Sequence, residues 1–248
     1  MSQRVRPMSG RVVVITGAGR GLGASLARAF AAEGASVVLG ARTTPEIDTL
    51  ASELGNALAV QTDVRVAEDV ARLVDAAVTE FGRIDVMINN AGVAVYAPAD
   101  APTPDDVDLM IDTNVKGTIH GCIAAFRVMK AQRHGLIVNI GSISGKWHLP
   151  NESVYGASKW AITGYSGVLR EEAAAFGVRV TCVSPGGIDT PFWKSMETWP
   201  FPEGIEPERD FLDPAEVARA VVDVARLSDR TNVPEIVLLP VIGPRARE

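Results

Sequence analysis

Short apolar runs alternate along this chain with longer amphipathic segments, and this alternation restricts the fold more than any other feature. The short runs are apolar on both faces, as in parallel strands that are covered by helices on both sides. We therefore predict an α/β fold, a doubly wound parallel sheet in a three-layer α/β/α sandwich, with right-handed crossovers and a ligand crevice beyond the carboxyl ends of the strands. The predicted strands are Val12–Thr16, Ser36–Ala41, Ala57–Gln61, Ile84–Asn89, Leu136–Gly141, Arg179–Ser184 and Glu235–Leu238.

The segments between the strands have helical patterns. The predicted helices are Gly21–Glu33, Pro45–Leu54, Ala67–Phe81, Pro104–Arg133, Ser153–Phe176 and Pro214–Leu227. Two of them start with a capping residue, proline and an acid, at Thr103 and at Asp213. We predict one domain over 1–248, with a loose N-terminal arm over 1–9. Within the irregular region Pro185–Leu212, which is rich in proline and aromatic residues, we expect 190–212 to act as a substrate lid.

Composition narrows the functional class. The chain has 248 residues and a formal net charge of −6, which argues against general affinity for nucleic acid or anionic membranes. The two cysteines, Cys122 and Cys182, lie in apolar runs and are too few for a disulfide framework, which suits a reducing compartment. No apolar window approaches the length of a membrane span, and the N-terminus lacks the pattern of a secretory signal. We expect a cytoplasmic protein.

A glycine-rich segment, Thr16-Gly17-Ala18-Gly19-Arg20-Gly21-Leu22-Gly23, directly follows the first predicted strand and opens the first helix. Glycines permit a sharp turn and close approach of a pyrophosphate, and the helix N-terminus faces the anion. The spacing is T-G-x-x-x-G-x-G, which departs from G-x-G-x-x-G because position 22 is leucine. The context predicts a dinucleotide site.

A second group of polar residues predicts acid–base chemistry. Tyr155 and Lys159 are four positions apart in a helical segment, so their side chains emerge on one face. A neighbouring ammonium favours the phenolate, so we expect the pKa of Tyr155 to be lowered. Ser142 ends a strand-like run and could meet Tyr155 across a cleft. The Tyr/Lys pair alone is weak evidence, because both residues are common on helix surfaces.

Taken together, these motifs resemble the short-chain dehydrogenase/reductase family, a Rossmann-type fold. They occur in the family's order and span nearly the whole chain. The matching residues are Gly17, Gly21, Gly23, Asp63, Asn89, Asn90, Ala91, Gly92, Asn114, Ser142, Tyr155, Lys159, Pro185, Gly186 and Thr190.

The resemblance implies a cofactor-binding role for many residues. Asp63 and Val64 would meet the adenine, Asn90 and Gly92 would line the wall beside the ribose and nicotinamide, and Thr190 would bind the carboxamide or a phosphate. By composition alone, Asp63 is equally consistent with a helix cap. The full expected set is Gly17, Gly19, Arg20, Gly21, Leu22, Gly23, Arg42, Asp63, Val64, Asn90, Ala91, Gly92, Tyr155, Lys159, Pro185, Gly186, Ile188 and Thr190.

Charge at the end of the second strand predicts which cofactor is bound. An acid at this position accepts from the ribose 2′-hydroxyl of NAD and repels a 2′-phosphate. This chain has Ala41 followed by Arg42, and Arg20 in the glycine loop points to the same corner. Two guanidinium groups can clamp a phosphate, so we predict NADP(H). The alternative is that both arginines are solvated surface charges.

The catalytic residues expected from the resemblance are Asn114, Ser142, Tyr155 and Lys159. Tyr155 would be the general acid in reduction and the base in oxidation, and Ser142 would orient the carbonyl oxygen. Lys159 would lower the pKa of Tyr155 and bind the nicotinamide ribose. Asn114 would hold a water that passes protons to Lys159, although an asparagine within a helix often only bonds locally.

Three functions remain open. The first is an NADPH-dependent reductase of carbonyls or dehydrogenase of secondary alcohols. The second is a dehydrogenase of β-hydroxy acids or hydroxy amino acids, which would need a cationic anchor such as Lys146 or Lys194. The C-terminal segment from Asn232 to Pro240 resembles a family branch that contains both and argues against a ketoreductase of fatty-acid synthesis. The third is a non-catalytic NADP sensor.

Several further expectations concern the substrate and partners. Ala94, Val95, Tyr96, Gly186 and Gly187 are expected near the substrate, Trp193, Trp199 and Phe201 in the lid, and His148, with Trp147, either at the substrate or in an exposed loop. The substrate would be a small molecule. His120, His134 and His148 share no metal-binding spacing, so no metal is expected. Small residues in the fifth helix, Ala157, Ala161, Gly164 and Gly167, would permit a homodimer or homotetramer, and would also suit packing within a monomer.

Overall fold

A parallel sheet of seven strands forms the middle layer of the computed structural model, which describes residues 6–195, 199–201 and 203–241, with backbone only at Ser195. The strand order is β3-β2-β1-β4-β5-β6-β7, and every pairing is parallel. The order reverses between β1 and β4, where the chain leaves the two strands toward opposite sides. The strands are β1 (Val12–Thr16), β2 (Ser36–Ala41), β3 (Ala57–Gln61), β4 (Val86–Asn89), β5 (Gly135–Ile140), β6 (Val178–Pro185) and β7 (Glu235–Leu238).

Helices cover both faces of the sheet. One core contains Leu26, Ile47 and Val217 from α1, α2 and α8, and the other contains Leu73, Cys122 and Leu169 from α3, α5 and α6. The predicted doubly wound α/β sandwich is therefore confirmed. The helices are α1 (Gly21–Ala32), α2 (Thr44–Leu54), α3 (Ala67–Phe81), α4 (Pro104–Met110), α5 (Gly117–Gln132), α6 (Ser153–Ala174), α7 (Pro207–Asp210) and α8 (Pro214–Arg226).

The strand boundaries and the outer ends of the predicted helices agree with the sequence prediction to within two residues, whereas α7 was not predicted. The largest strand difference is at β4, which begins at Val86 rather than Ile84. Asp85 precedes it, and its buried carboxylate accepts from the backbone N–H of Val12 at 2.9 Å. Capping at both predicted helix starts is present: Thr103 and Asp106 form a capping box, and the Asp213 carboxylate accepts from the N–H of Ala215.

Residues 6–9 do not form the loose arm that was predicted for 1–9. Met8 is completely buried in the core that contains residues of α1, α2 and α8, and the N–H of Arg6 donates to the carbonyl of Arg226 at 3.1 Å. Arg6 also forms an ion pair with Asp229. The rest of the predicted arm, residues 1–5, lies outside the described residues.

The long predicted helix Pro104–Arg133 is interrupted in its middle. A π-helical turn, Ile111–Lys116, joins α4 to α5. Such turns insert an extra residue into a helix and are frequent at functional sites. Asn114 lies in this turn and is completely buried. Across the described ranges, no helix is both long and apolar enough to cross a lipid bilayer.

Candidate active site

The glycine loop lies between β1 and α1, at the point where the strand order reverses. Gly17 and Gly21 have φ values of 63° and 54°, in the left-handed region that favours glycine. Gly23 is required for another reason: a Cβ placed there would lie 2.1 Å from the carbonyl oxygen of Gly17. The backbone therefore makes a tight cradle in front of the N-terminus of α1 that only glycines at these positions permit.

Hydrogen bonds fasten this cradle to the end of β4. The Asn90 amide donates to the carbonyls of Thr16 at 3.0 Å and Gly17 at 3.1 Å. The Thr16 hydroxyl accepts from the N–H groups of Asn90 and Ala91 at 3.1 and 3.2 Å. Asn90 lines the crevice, and its amide positions the glycine loop.

Charged residues meet at one end of the crevice, beyond β2 and β3. Arg20, Arg42 and Asp63 all line it there, together with Ala41 at the end of β2. Glu46 of α2 also lines this corner, and a Cβ placed at Gly19 would lie 2.6 Å from its Oε2. The sequence analysis missed Glu46. Its only signal was an acid in the first turn of α2, a common position for stabilising a helix N-terminus.

Asp63 is already held by a neighbouring arginine. The guanidinium of Arg65 donates to both carboxylate oxygens, at 2.6 to 3.0 Å, and the N–H of Arg65 donates to Oδ1 at 3.0 Å. The hydrogen bonds from Arg65 lower the pKa of Asp63, which therefore stays ionised. Its carboxylate can serve as an acceptor at the crevice wall while Arg65 fixes its orientation.

Ser142, Tyr155 and Lys159 meet at the other end of the crevice. Ser142 follows β5, and its hydroxyl donates to the hydroxyl of Ser144 and accepts from the N–H of Ser144, at 3.0 and 3.1 Å. The Ser142 hydroxyl also lies close enough to the phenol of Tyr155 to lower the pKa of that phenol. Lys159 follows one turn later on α6, with Nζ 5.6 Å from the centre of the Tyr155 ring. All three residues are at most 8% exposed.

The proton affinities of these groups differ from the expectation. Burial raises the pKa of Tyr155 above its usual value, the nearby Ser142 hydroxyl opposes this rise, and the negative charge of Glu152 adds to it. Burial also lowers the pKa of Lys159 to about 8. The prediction of a lowered tyrosine pKa is wrong for this structure, because loss of hydration outweighs the field of a lysine whose Nζ donates to the Ile140 carbonyl at 3.0 Å.

Asn114 is close to this group but bonds elsewhere. Its amide donates to the Val93 carbonyl at 2.9 Å and to the Ser158 hydroxyl at 3.0 Å, and its oxygen accepts from the Val93 N–H at 2.9 Å. Gly92 lies between Asn114 and Lys159: a Cβ placed there would be 3.4 Å from Asn114 Oδ1 and 3.6 Å from Lys159 Nζ. The side chain of Asn114 thus holds the loop after β4 against α6.

One continuous cavity of about 630 Å³ connects the two ends. It lies at the carboxyl ends of β1, β4, β5 and β6, where the predicted site residues come together. Thr190 is close to the glycine loop, since a Cβ placed at Gly21 would lie 3.2 Å from its Cβ. Of the predicted residues, those that line the cavity are Gly17, Gly19, Arg20, Gly21, Leu22, Gly23, Arg42, Asp63, Val64, Asn90, Ala91, Gly92, Ser142, Tyr155, Lys159, Pro185, Gly186, Ile188 and Thr190.

Aromatic side chains cover the end of the cavity beside Tyr155. Tyr96 packs on Tyr155 with ring centres 5.5 Å apart, and Trp193 stacks on Tyr96 at 6.1 Å. The Trp193 Nε1–H donates to the Ile188 carbonyl at 2.6 Å, which fixes the indole. Phe201 and Phe211 pack against it, each with its ring centre 5.1 Å away. The predicted substrate residues Ala94, Val95, Tyr96, Gly186 and Gly187 line this end as well.

Three other residues considered for substrate contact are not among the residues that line the cavity. His148 is exposed and stacks on Trp160 with ring centres 5.7 Å apart. Of the two alternatives for His148, the structure therefore shows the exposed loop. Lys146 forms an ion pair with Glu235 at 2.7 Å. Lys194 is exposed beside the cavity-lining Trp193. From the loop before α6, Leu149 and Glu152 line the cavity instead, and the sequence analysis singled out neither.

Comparison with known proteins identifies the family. The sequence model of the short chain dehydrogenases matches residues 11–200. An uncharacterized oxidoreductase of Staphylococcus epidermidis is 34% identical over 232 residues, 93% of this chain and 97% of the relative. The chain belongs to the short-chain dehydrogenase/reductase family, and it is an oxidoreductase of that type.

Two solved structures are similar over almost the whole chain. An alcohol dehydrogenase from the archaeon Thermococcus sibiricus, complexed with 5-hydroxy-NADP, has a TM-score of 0.85 at 29% identity and covers 93% of this chain and 97% of its own. A serine dehydrogenase in a closed form complexed with NADP+ has a TM-score of 0.85 at 32% identity, with coverages of 93% and 95%.

A nicotinamide dinucleotide fits the residues of this cavity. The glycine cradle would be filled by any Cβ at Gly23, and it presents the N-terminus of α1 to a pyrophosphate. The volume of about 630 Å³ lies in the range of ligand sites. Charged side chains line the end of the cavity beyond β2, and the phenol of Tyr155 and the amine of Lys159 lie at the opposite end. The two ends therefore offer different functional groups to the two halves of a dinucleotide.

Proposed function

We propose that this protein is an NADPH-dependent oxidoreductase that interconverts a carbonyl and a secondary alcohol of a small molecule. The observation that carries the proposal is the common cavity shared by the glycine cradle and the group Ser142, Tyr155 and Lys159. The similarity to NADP-bound relatives supports the choice of cofactor. So do the two guanidinium groups at the corner beyond β2.

A nicotinamide dinucleotide held by the glycine cradle would supply or accept the hydride, a proton with two electrons, at the carbinol carbon. Tyr155 exchanges the remaining proton with the substrate oxygen, as the acid in reduction and the base in oxidation. Ser142 orients that oxygen with its hydroxyl. Because its pKa is near 8, Lys159 can be protonated or neutral close to neutral pH, so it can pass a proton on as Tyr155 titrates. Asn114 positions the loop after β4, and the aromatic residues exclude water.

The proposed activity can be tested by following NADPH absorbance. We expect oxidation of NADPH with members of a panel of aldehydes, ketones and 3-oxo esters, and reduction of NADP with the matching alcohols. Secondary alcohols and hydroxy amino acids are assayed side by side. NADP binding by calorimetry without turnover of any panel member would favour the sensor alternative.

A dehydrogenase of hydroxy acids is the second candidate, and the similar serine dehydrogenase is the observation that favours it. That activity would need a cation for the substrate carboxylate. Lys146 is paired with Glu235, and neither it nor Lys194 is among the residues that line the cavity. We therefore rank a hydroxy-acid dehydrogenase below a dehydrogenase of alcohols that carry no carboxylate.

We also propose that 190–212 acts as a lid. Residues 196–198 and 202 lie outside the described residues, but Trp193 and Phe201 line the cavity and belong to this segment. Exposed Lys194 offers a site for trypsin. We expect cleavage there to slow when NADP and a substrate alcohol bind, as seen by mass spectrometry. The variant Lys194→Gln cannot be cut by trypsin at this position, so the fragment that it fails to give is the one produced by cleavage after Lys194. A cleavage rate that does not change when ligand binds would contradict the lid.

A homodimer or homotetramer, and a location in the cytoplasm, remain predictions. Gly164 and Gly167 on α6 have open space where a Cβ would lie, and Trp160 and Val168 on the same helix are 43% and 61% exposed. Such a surface suits close packing of a second copy. Light scattering coupled to gel filtration measures the mass directly, and a monomeric mass of 26.3 kDa would contradict the oligomer.

A further inference from the structure

Tyr96 brings a second phenol to the end of the cavity that holds Tyr155. Its ring packs on the Tyr155 ring with centres 5.5 Å apart, and Trp193 stacks on it at 6.1 Å. All three side chains belong to the cavity lining. Tyr96 thus lies at the aromatic end of the cavity, away from the glycine cradle, where it can contact a substrate and not the phosphates of a cofactor.

The hydroxyl of Tyr96 has no hydrogen-bond partner among the described residues. The Ser142 hydroxyl lowers the pKa of Tyr155, whereas only burial and neighbouring charges act on the pKa of Tyr96. In the part of the chain that the structure describes, the buried side-chain atoms that lack a partner belong to other residues, so this hydroxyl is not sealed in the interior. It therefore opens onto the cavity that its ring lines.

The surroundings of Tyr96 keep its phenol protonated. Burial is the main cause that raises the pKa of Tyr96 well above its usual value, and the negative charges of ionised Tyr155 and Glu152 add to the rise. A protonated phenol donates one hydrogen bond. The same loss of hydration would penalise a carboxylate that a ligand brought to this point, so the acceptor that suits this donor is an uncharged oxygen.

The reacting oxygen of a substrate does not need this donor. In the proposed reaction that oxygen receives the hydroxyls of Ser142 and Tyr155, which line the cavity, and a carbonyl oxygen has two lone pairs. A third hydroxyl in the same wall needs an acceptor at another position of the ligand. Without one, the polar hydroxyl loses its hydration when water is expelled and gains nothing in return. A substrate with a second oxygen is therefore favoured.

The rest of the wall limits what surrounds that second oxygen. Val95 precedes Tyr96 in the lining, and Leu149, Trp193 and Phe201 add further apolar and aromatic side chains. Such walls favour a ligand with an apolar body and a small number of polar groups that fix its orientation. Two oxygens on an otherwise apolar ligand match the two places where the wall offers hydroxyls.

We infer that Tyr96 determines specificity by donating a hydrogen bond to a second, uncharged oxygen of the substrate. The substrate is then a ketone, or the matching alcohol, with the carbonyl oxygen of an ester or of a second ketone one or two carbons from the reacting carbon. The inference rests on the proposed function, since it assigns the substrate class of the same site. Tyr96 takes no part in the transfer of hydride or proton. Its role is to fix the orientation of the reacting carbonyl against Ser142 and Tyr155.

Two matched pairs of ketones test the inference with the full-length protein and NADPH. Ethyl 2-oxopropanoate is compared with 2-hexanone, and ethyl 3-oxobutanoate with 2-heptanone, so that each ester has a second carbonyl oxygen that its partner of the same chain length lacks. The preference is the ratio of kcat/KM for the ester over its partner. In Tyr96→Phe the preference should fall roughly 3- to 10-fold for at least one pair, the loss expected for one hydrogen bond between uncharged groups. Comparing the two enzymes cancels the different reactivity of the ketones.

The variant Tyr96→Phe separates hydrogen bonding from packing, because it keeps the ring that lies between Tyr155 and Trp193. Packing alone would change the rates with ester and plain ketone alike, so an unchanged preference for both pairs would overturn the inference. The matched control is Tyr165→Phe, since Tyr165 is the remaining tyrosine of the chain and is not among the residues that line the cavity. It should keep the wild-type preference. Thermal unfolding of each variant shows that it is folded.

A binding measurement does not depend on turnover. NADP and a ketone do not react with each other, because both are already oxidised, so calorimetry of the NADP complex measures binding alone. The wild-type protein should bind at least one ester more tightly than its partner, and Tyr96→Phe should reduce the difference. Equal or weaker binding of both esters by the wild-type protein would overturn the inference, whether or not the variant folds.

The two measurements together separate the inference from the proposed function. Tighter binding of an ester that depends on Tyr96, without oxidation of NADPH by any of the four ketones, would support the inferred contact and contradict the proposed function. Oxidation of NADPH by the ketones, with preferences that Tyr96→Phe leaves unchanged, would support the proposed function and overturn the inference.

Discussion

Replacing Tyr155 with phenylalanine is expected to reduce kcat by roughly 10²- to 10⁴-fold, the usual contribution of general acid–base catalysis. The variant loses only the hydroxyl that faces Ser142, and the ring contact with Tyr96 at 5.5 Å is kept. The steady-state rate with saturating substrate measures the loss. Binding of NADP, measured by calorimetry, should change little, because the glycine cradle and the charged corner beyond β2 are untouched.

A matched control shows whether the effect belongs to the site. Tyr165→Phe removes a hydroxyl ten residues further along the same helix, where the ring packs against the core that contains residues of α3, α5 and α6. That variant should keep the wild-type rate. If Tyr155→Phe kept its rate within about tenfold, a range below that of acid–base catalysis, another group would have to move the proton.

Changing the charge at the end of β2 is expected to switch the cofactor. The double variant Ala41→Asp, Arg42→Ala replaces one guanidinium with a carboxylate at the corner where Arg20 and Glu46 also lie. A charged hydrogen bond is worth about 1.5–3 kcal/mol, so the loss of one and the added repulsion should move the NADP/NAD ratio by roughly 100-fold or more toward NAD. Dissociation constants of both cofactors measure it.

Glu46 makes this experiment more informative. Its carboxylate already lies beside Gly19, so the corner holds a negative charge before any substitution. Glu46→Gln should therefore tighten NADP more than NAD, in the opposite direction to the double variant. Arg72→Ala, which removes an exposed arginine paired with Asp69 on α3, serves as the control for net charge. An unchanged NADP/NAD ratio in the double variant would refute the assignment of Arg42 to the 2′-phosphate.

The sequence predicted the elements of the fold well because they depend on local pattern. A short apolar run such as Val12–Thr16, followed directly by a glycine turn, is typical of a strand buried on both faces, and its bounds were predicted without error. The cap at Thr103 was predictable for the same reason, since Pro104 and Asp106 follow at fixed positions. The strand order, in contrast, is set by contacts distant in sequence.

Parts of the site depend on such distant contacts, and there the prediction was incomplete. Glu46 and Glu152 both looked like ordinary acids at helix starts, and only the folded chain shows that they line the cavity. The pKa of Tyr155 was predicted in the wrong direction because burial cannot be read from the spacing of Tyr155 and Lys159. For His148, the sequence left two alternatives, and its stacking on Trp160 decides between them.

The π-helical turn Ile111–Lys116 has a mechanical consequence. The turn widens the helix and orients Asn114 so that its side-chain amide forms hydrogen bonds with both the Val93 backbone and the Ser158 hydroxyl. The side chain of Asn114 thus holds both the loop after β4 and α6, the helix that carries Tyr155. A shorter side chain at position 114 would therefore loosen the loop after β4 and its contact with α6 at the same time.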